Sequence, residues 1–193
     1  MAEALIVVDM QKDFCPGGAL AVPEGDAVVP VFNRYLERAA ARGMAIYASR
    51  DWHPARTAHF KAFGGTWPPH CIQGTPGAEL HPDLRLPADV EIVSKGMSER
   101  EEGYSMLDGL LPDGRQLLEA LRAAGVSRIY VGGLATDYCV RATVLDALAA
   151  GLEVRLLTDA SRAVDVQLGD GERATREMLA AGAQAMTLDE FTA

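Results

Sequence analysis

The chain has 193 residues, of which 49% are hydrophobic and 23% are charged, a composition typical of a globular protein in water. Its 27 acidic and 18 basic residues give a net charge of -9 without any stripe of lysine or arginine, which argues against nucleic acid or an anionic membrane surface as a partner. The length predicts one domain over residues 1–193, and the charge pattern predicts a small-molecule ligand. No stretch approaches the roughly 18 consecutive apolar residues of a membrane helix.

The three cysteines, Cys15, Cys71 and Cys139, are an odd number. The first residues of the sequence carry neither a basic segment nor a long apolar one. Together these features predict free thiols and a cytoplasmic protein. Cys15 and Cys71 show no placement comparable to that of the candidate reactive residues, and we interpret both as structural.

Short apolar runs alternate with segments of helical spacing along the chain. The runs predict six strands, at residues 4–8, 44–49, 89–94, 128–131, 153–157 and 183–187. Apolar residues at helical spacing, mostly closed by glycine, predict four helices, at residues 26–42, 114–124, 137–150 and 171–181. Prolines interrupt the stretch from 53 to 86, and so long an irregular segment inside a compact domain predicts a functional loop.

Strands that are apolar throughout and alternate with helices indicate an α/β fold. We expect three layers, in which a six-stranded, mostly parallel sheet has helices on both faces. Ligands of such open sheets bind outside the carboxyl ends of the strands. Asp9, Asp51, Lys95 and Cys139 follow the first four predicted strands, so four reactive side chains are expected at one edge of the sheet.

Cys139 is the candidate nucleophile. It follows a Gly-Gly turn and two residues that often cap helices, Thr136 and Asp137, which predicts a position in the first turn of a helix. The partly positive end of a helix favours the thiolate, the form that attacks carbon. The alternative is a small residue buried in the core.

Asp9 and Lys95 are the candidate partners of this thiol. Asp9 ends an apolar strand, where it could take the proton from Cys139 and return it to a leaving amine. The charge of Lys95 could stabilise both anions and a developing oxyanion. Taken singly, Asp9 is equally typical of a turn, and Lys95 of a solvated strand end.

A carboxylate and three imidazoles lie close together in the sequence and suggest a metal site. Asp51 and His53 are two residues apart, so their side chains point the same way along an extended chain. His59 and His70 follow. This set suits one divalent ion such as zinc, iron or manganese. His59 is the least defined of the four, since it could be a ligand, a partner of a ligand or a substrate contact.

Aromatic residues adjoin these polar ones although the chain contains only 6% aromatics. Phe14, Trp52, Trp67 and Tyr138 could form flat walls for a planar ring. Ordinary core packing is the alternative for each of them.

Five segments occur in a characteristic order: V-V-D-M-Q-K-D-F at 7–14, S-R-D-W-H-P at 49–54, W-P-P-H-C-I-Q-G-T-P-G-A at 67–78, S-K-G at 94–96 and G-G-L-A-T-D-Y-C-V at 132–140. Over essentially the whole chain they resemble bacterial nicotinamidases, also called pyrazinamidases, of the isochorismatase-like cysteine hydrolases. The resemblance implies a six-stranded parallel sheet with Rossmann-like strand order. It also implies hydrolysis of nicotinamide, and of pyrazinamide, through a cysteine thioester, as a step of NAD salvage.

The resemblance further implies roles for individual residues. The catalytic triad would be Asp9, Lys95 and Cys139. A cis peptide between Leu134 and Ala135 would direct the N–H groups of Ala135 and Cys139 at the oxyanion. The metal ligands would be Asp51, His53 and His70, with His59 as a fourth ligand found in some members. The contacts to the pyridine ring would be Phe14, Trp67, Tyr138 and Leu134. Many relatives have histidine in place of Tyr138, which leaves the ring preference open.

Three other functions remain open at this stage. A related amidohydrolase could act on carbamoyl or ureido substrates, but such relatives generally lack the Asp51, His53 and His70 cluster. A nucleotide-binding module could use Gly132 and Gly133 at a phosphate, although the full G-x-G-x-x-G pattern is missing. A redox sensor would have a thiol that reacts faster with peroxide than with an amide. Nicotinamide is the expected small-molecule partner, and assembly into a homo-oligomer stays open.

Overall fold

A computed structural model describes residues 2–191 and contains a six-stranded sheet. The strands are β1 (Ala2–Val8), β2 (Ala45–Asp51), β3 (Glu91–Lys95), β4 (Val126–Leu134), β5 (Glu153–Arg162) and β6 (Gln184–Met186). They lie in the order β3-β2-β1-β4-β5-β6, and every neighbouring pair is parallel. The predicted α/β fold and its Rossmann-like strand order are therefore confirmed.

Within the described residues, four α-helices lie between strands at the predicted places. They are α1 (Val29–Ala41), α2 (Leu117–Ala123), α3 (Arg141–Ala149) and α4 (Asp170–Ala180). The first three are shorter than predicted, because residues of apolar spacing near their ends belong to other turns, such as the 3-10 turn Gly25–Val28 ahead of α1. No helix within residues 2–191 is long and apolar enough to cross a membrane.

The core lies on both faces of the sheet. Along β1, Ile6 and Val8 pack on the face covered by α2 and α3, whereas Leu5 and Val7 pack on the face covered by α1. All four side chains are at most 1% exposed. This two-sided burial explains why the strands are continuous apolar runs rather than alternating ones.

The strand order reverses between β1 and β4, the point at which open sheets of this kind form their ligand crevice. The two backbones come unusually close there. Gly133 has a φ of +131°, and a Cβ atom at this position would lie 2.0 Å from the carbonyl oxygen of Val8. Glycine is therefore required for β4 to lie beside β1 at the edge that carries Asp9 and Cys139.

Candidate active site

Three predicted residues from three strand ends meet at this crevice. Lys95 Nζ lies 2.7 Å from Asp9 Oδ2 and 3.3 Å from Cys139 Sγ. Lys95 and Asp9 are fully buried, and Cys139 is 6% exposed. A nucleophile, a carboxylate and a cation are thus in mutual contact and shielded from water.

Lys95 also contacts Asp51, and the strand register explains why. Asp51 of β2 and Lys95 of β3 are directly opposite in the parallel pairing, so their side chains share one face of the sheet. Lys95 Nζ donates to Asp51 Oδ1 and, at 2.7 Å, to the carbonyl oxygen of Gly103. Lys95 therefore joins the Asp9–Cys139 pair to the carboxylate expected to hold a metal.

The charges of this cluster follow from burial and from the contacts of Lys95. Burial alone would lower the pKa of Lys95, but the carboxylates of Asp51 and Asp9 outweigh it and raise this pKa well above its usual value. Burial raises the pKa of Asp9 to about 6, although Lys95 opposes the shift. At neutral pH, Lys95 is consequently an ammonium and Asp9 a carboxylate.

The thiol of Cys139 differs from the sequence-based expectation in two respects. It lies in a single π-helical turn, Thr136–Val140, which precedes α3, so its predicted place in the first α-helical turn is wrong. Burial raises the pKa of Cys139 well above that of a free thiol, while Lys95 opposes the shift. The resting group is therefore a thiol that must give up its proton when it reacts.

Asp137, which the sequence pattern suggests as a capping residue, does not cap a helix. Its two carboxylate oxygens accept the backbone N–H groups of Val164 and Asp165, each at 2.9 Å. The side chain is drawn across to the loop after β5 rather than to its own helix. This contact fixes Val164 at the rim of the crevice, an arrangement that the local sequence pattern does not reveal.

The predicted metal ligands form a second cluster beside the triad. Ring nitrogens of His53, His59 and His70 lie within 4.8 Å of one another. Asp51 Oδ2 is 3.5 Å from His53 Nε2 and 3.9 Å from His70 Nε2. Burial alone would raise the pKa of Asp51, but Lys95 outweighs it and lowers this pKa below its usual value, so the carboxylate is charged.

The ring hydrogen bonds of His53 and His70 each use Nδ1 and leave Nε2 for a cation. His53 Nδ1 contacts the carbonyl oxygen of Gly96 at 3.0 Å, and His70 Nδ1 contacts that of Pro68 at 2.8 Å. A carbonyl acceptor requires Nδ1 to carry a proton, so Nε2 is the nitrogen of each ring that remains for a metal. His53 Nε2 is buried and has no hydrogen-bond partner among residues 2–191.

Burial also keeps His59 and His70 in the form that binds metals. It lowers the pKa of His59 to about 4, and it lowers the pKa of His70 as well. Both rings are therefore neutral at pH 7, as metal ligation requires. A charged carboxylate, neutral imidazoles and an orphaned buried nitrogen fit a divalent cation.

An aromatic cleft opens onto both clusters. The residues that line it are Phe14, Trp67 and Tyr138, together with Leu20, Asp51, His59, His70, Tyr104, Ala135, Cys139 and Val164. The rings of Trp67 and Tyr138 are perpendicular, with centroids 4.8 Å apart. Trp52 and Leu134 are not among the residues that line this cleft, and Leu134 is fully buried in the core.

Sequence reasoning missed Tyr104, whose hydroxyl accepts the indole N–H of Trp67 at 3.0 Å. Its position after the Lys95 strand, in an irregular segment at the same sheet edge, was an available signal. Gln11 was missed as well. Its side-chain amide accepts the N–H of Asp51 at 2.7 Å and donates to the carbonyl oxygens of Asp51 and Ala78 at 2.8 and 2.9 Å.

The backbone before Cys139 has the form implied by the resemblance. The peptide between Leu134 and Ala135 is cis. Ala135 lines the cleft beside Cys139, and its carbonyl oxygen accepts the N–H groups of Tyr138 and Val140 at 3.1 Å each. The first residues of the π-helical turn are thereby tied to the end of β4.

The sequence and the fold of this chain are both similar to those of known proteins. The model of the isochorismatase domain family matches residues 3–190. A nicotinamidase of Escherichia coli is 42% identical over 97% of this chain and 96% of that protein. The structure of a pyrazinamidase of Pyrococcus horikoshii in complex with zinc is 48% identical, has a TM-score of 0.89, and covers 97% of this chain and 99% of its own. A structure from L. infantum in complex with nicotinate is 34% identical, has a TM-score of 0.87, and covers 98% of this chain and 94% of its own.

Proposed function

Because this chain belongs to the isochorismatase family, we propose that Asp9, Lys95 and Cys139 form the catalytic triad of its active site. The enzyme is an amidohydrolase that converts nicotinamide to nicotinic acid and ammonia. Pyrazinamide, which carries the same carboxamide on a similar ring, is the second substrate we propose. The observation that carries the triad is the position of Lys95 Nζ, 2.7 Å from Asp9 and 3.3 Å from Cys139.

The reaction begins with transfer of the thiol proton. Asp9 takes the proton of Cys139, and the resulting thiolate sulfur forms a bond to the carboxamide carbon. Lys95 stabilises both anionic groups as the proton moves, because it contacts each of them. The high pKa of the buried thiol makes this coupling necessary, since little thiolate exists before the substrate arrives.

The carbonyl oxygen becomes negatively charged as the C–S bond forms. We assign its stabilisation to the backbone N–H groups of Ala135 and Cys139, each such donor being worth roughly 3 to 4 kcal/mol in the transition state. Asp9 then gives its proton to the nitrogen as the C–N bond breaks, which releases ammonia and leaves a thioester on Cys139.

Hydrolysis of the thioester uses the same base. Asp9 takes a proton from water while the water oxygen attacks the thioester carbon. The C–S bond then breaks, nicotinic acid forms, and the proton held by Asp9 restores the thiol of Cys139. Lys95 remains an ammonium throughout because the carboxylate of Asp51, joined by that of Asp9 whenever Asp9 is unprotonated, keeps its pKa high.

Asp51, His53 and His70, with His59 as a fourth ligand, would hold one divalent ion, for which zinc, iron and manganese are candidates. When bound, such an ion supplies a Lewis acid that orients the substrate ring by its nitrogen, directly or through a water molecule. In this proposal the side chains of Phe14, Trp67 and Tyr138 flank the substrate ring. Leu134, whose side chain is in the core, would contact the substrate through its backbone. The zinc in the pyrazinamidase of Pyrococcus horikoshii supports this assignment.

Residues 1–193 act, in this proposal, as one hydrolase domain in the cytoplasm, with a small carboxamide rather than nucleic acid or a membrane as partner. A carbamoyl or ureido substrate is the less suitable alternative. A substrate without a ring nitrogen would have no such atom to bind a metal held by the histidine cluster beside Cys139.

Ammonia release from nicotinamide tests the assignment of the sites. We expect activity in the metal-loaded protein, loss after verified removal of the metal by a chelator, and recovery on addition of zinc, iron or manganese. Full activity without metal would contradict the role of the histidine cluster but not that of the triad. Turnover by a Cys139→Ala variant at the wild-type rate would contradict the triad itself.

A further inference from the structure

We propose that Ser49 is a positioning residue that orients the carboxylate of Asp9 toward Cys139 and Lys95. This role rests on the proposed function of Asp9 as the base that takes the thiol proton. Ser49 lies on β2, next to β1 in the sheet, and its side chain is fully buried.

The hydroxyl of Ser49 contacts Asp9 twice. Its Oγ donates a hydrogen bond to Asp9 Oδ1 at 2.7 Å and accepts one from the backbone N–H of Asp9 at 3.2 Å. A serine hydroxyl has one proton and two lone pairs, so it can make both bonds at the same time. The side chain and the backbone of Asp9 are therefore held by one group.

This double contact stabilises an unusual backbone conformation. Side chains on β1 alternate between the faces, and continued alternation would send Asp9 to the face of Leu5 and Val7. Asp9 instead has a φ of +47°, in the left-handed region that few residues other than glycine adopt. The changed direction lets the carboxylate reach Lys95, which extends from β3 on the opposite face, that of Val93.

The contact also distinguishes the two carboxylate oxygens of Asp9. Oδ1 accepts the bond from Ser49, whereas Oδ2 lies 2.7 Å from Lys95 Nζ. Apart from Lys95, Oδ2 has no hydrogen-bond partner among residues 2–191. Ser49 thus keeps one oxygen occupied and leaves the other, beside Lys95, available for a proton.

Strand β2 supplies a second residue to the same network. Ser49 and Asp51 are two positions apart on one face of β2, where Ser49 holds Asp9 and Asp51 pairs with Lys95. One strand therefore fixes both the proposed base and the cation beside it. A variant at Ser49 must consequently be checked for metal content, since Asp51 is so close.

The test is the steady-state kinetics of ammonia release from nicotinamide by Ser49→Ala, Ser49→Thr and Ser49→Val. A hydrogen bond to a charged group typically contributes enough to change a rate about 10- to 100-fold. We expect Ser49→Ala to lower kcat by this factor and to leave KM within about twofold, because Ser49 does not line the substrate cleft. The metal content, measured by elemental analysis, should equal that of the wild type.

Thr and Val are the matched pair, because they have nearly the same shape and differ in the hydroxyl. We expect the Thr variant to retain at least several times the kcat of the Val variant at similar melting temperatures. If Ser49→Ala folds poorly, the comparison of the Thr and Val variants decides whether the hydroxyl at position 49 is needed. A kcat of Ser49→Ala within threefold of the wild type, a loss confined to KM, or equal rates for Thr and Val would overturn the role of Ser49. A wild-type protein that releases no ammonia would instead contradict the proposed function.

Discussion

Replacement of Lys95 by methionine should destabilise the protein strongly as well as inactivate it. Lys95 is fully buried between the carboxylates of Asp9 and Asp51, which are at most 4% exposed. Methionine has a similar length but no charge, so the variant buries two carboxylates without a counter-ion. Removing one partner of a buried ion pair costs about 3 to 5 kcal/mol. That is a large part of the roughly 5 to 15 kcal/mol by which a domain of this kind is stable.

The measurement is the free energy of unfolding in urea at pH 7, on protein freed of metal so that no cation at Asp51 replaces the lost charge. Lys12→Met is the matched control. Lys12 pairs with Glu79 at the surface, where the two side chains are 39% and 61% exposed. Solvent weakens such a pair, so its loss should change the stability by less than about 1 kcal/mol.

The loss of stability in Lys95→Met should also depend on pH, and its direction follows from the pKa of Asp9. Burial already raises that pKa to about 6 in the presence of Lys95, and it rises further without the ammonium. A carboxyl whose pKa is higher in the folded than in the unfolded state contributes stability below its unfolded pKa and loses it as the pH rises through the folded value. The deficit relative to wild type should therefore be smallest near pH 4 and largest above pH 7. A deficit below about 1 kcal/mol at pH 7, or one independent of pH, would refute the buried-charge account.

Further outcomes follow from the same geometry. Cys139→Ala should release no detectable ammonia from nicotinamide. Cys71→Ala changes a buried thiol outside the cleft lining and should keep its kcat within a few-fold. An active Cys139→Ala beside an inactive Cys71→Ala would contradict the nucleophile assignment. His70→Ala should lose bound metal during dialysis, as measured by elemental analysis, while His81→Ala, outside the histidine cluster, should retain it. Trp67→Phe removes the indole N–H that Tyr104 accepts, and a net loss of about 1 kcal/mol should raise KM for nicotinamide roughly fivefold; an unchanged KM would exclude this bond from substrate binding.

The sequence alone was informative about fold class because burial leaves a direct trace in composition. A strand is apolar where both of its faces are covered, and the buried parts of β1 and β4 were recognisable for that reason. The rule that parallel strands end at a common edge then brought Asp9, Lys95 and Cys139 together without any coordinates.

The helix starts were less predictable. Thr136 and Asp137 match the pattern of capping residues, yet Asp137 accepts the N–H groups of Val164 and Asp165 instead. The segment around Cys139 is a π-helical turn, not the beginning of an α-helix. Local propensity is a weak guide at such a place because contacts with a distant loop compete with the cap.

What the sequence determined by itself is the parallel sheet, its functional edge and the kinds of reactive groups on it, since each depends on local pattern and on the order of elements. Only the tertiary structure decided which of those groups touch. The register of β2 against β3 sets Asp51 opposite Lys95, and the left-handed turn at Asp9 brings its carboxylate to Ser49 and Lys95. Such contacts join residues about 40 or more positions apart, and strand register and backbone direction, which fix them, leave no periodic signal in the chain.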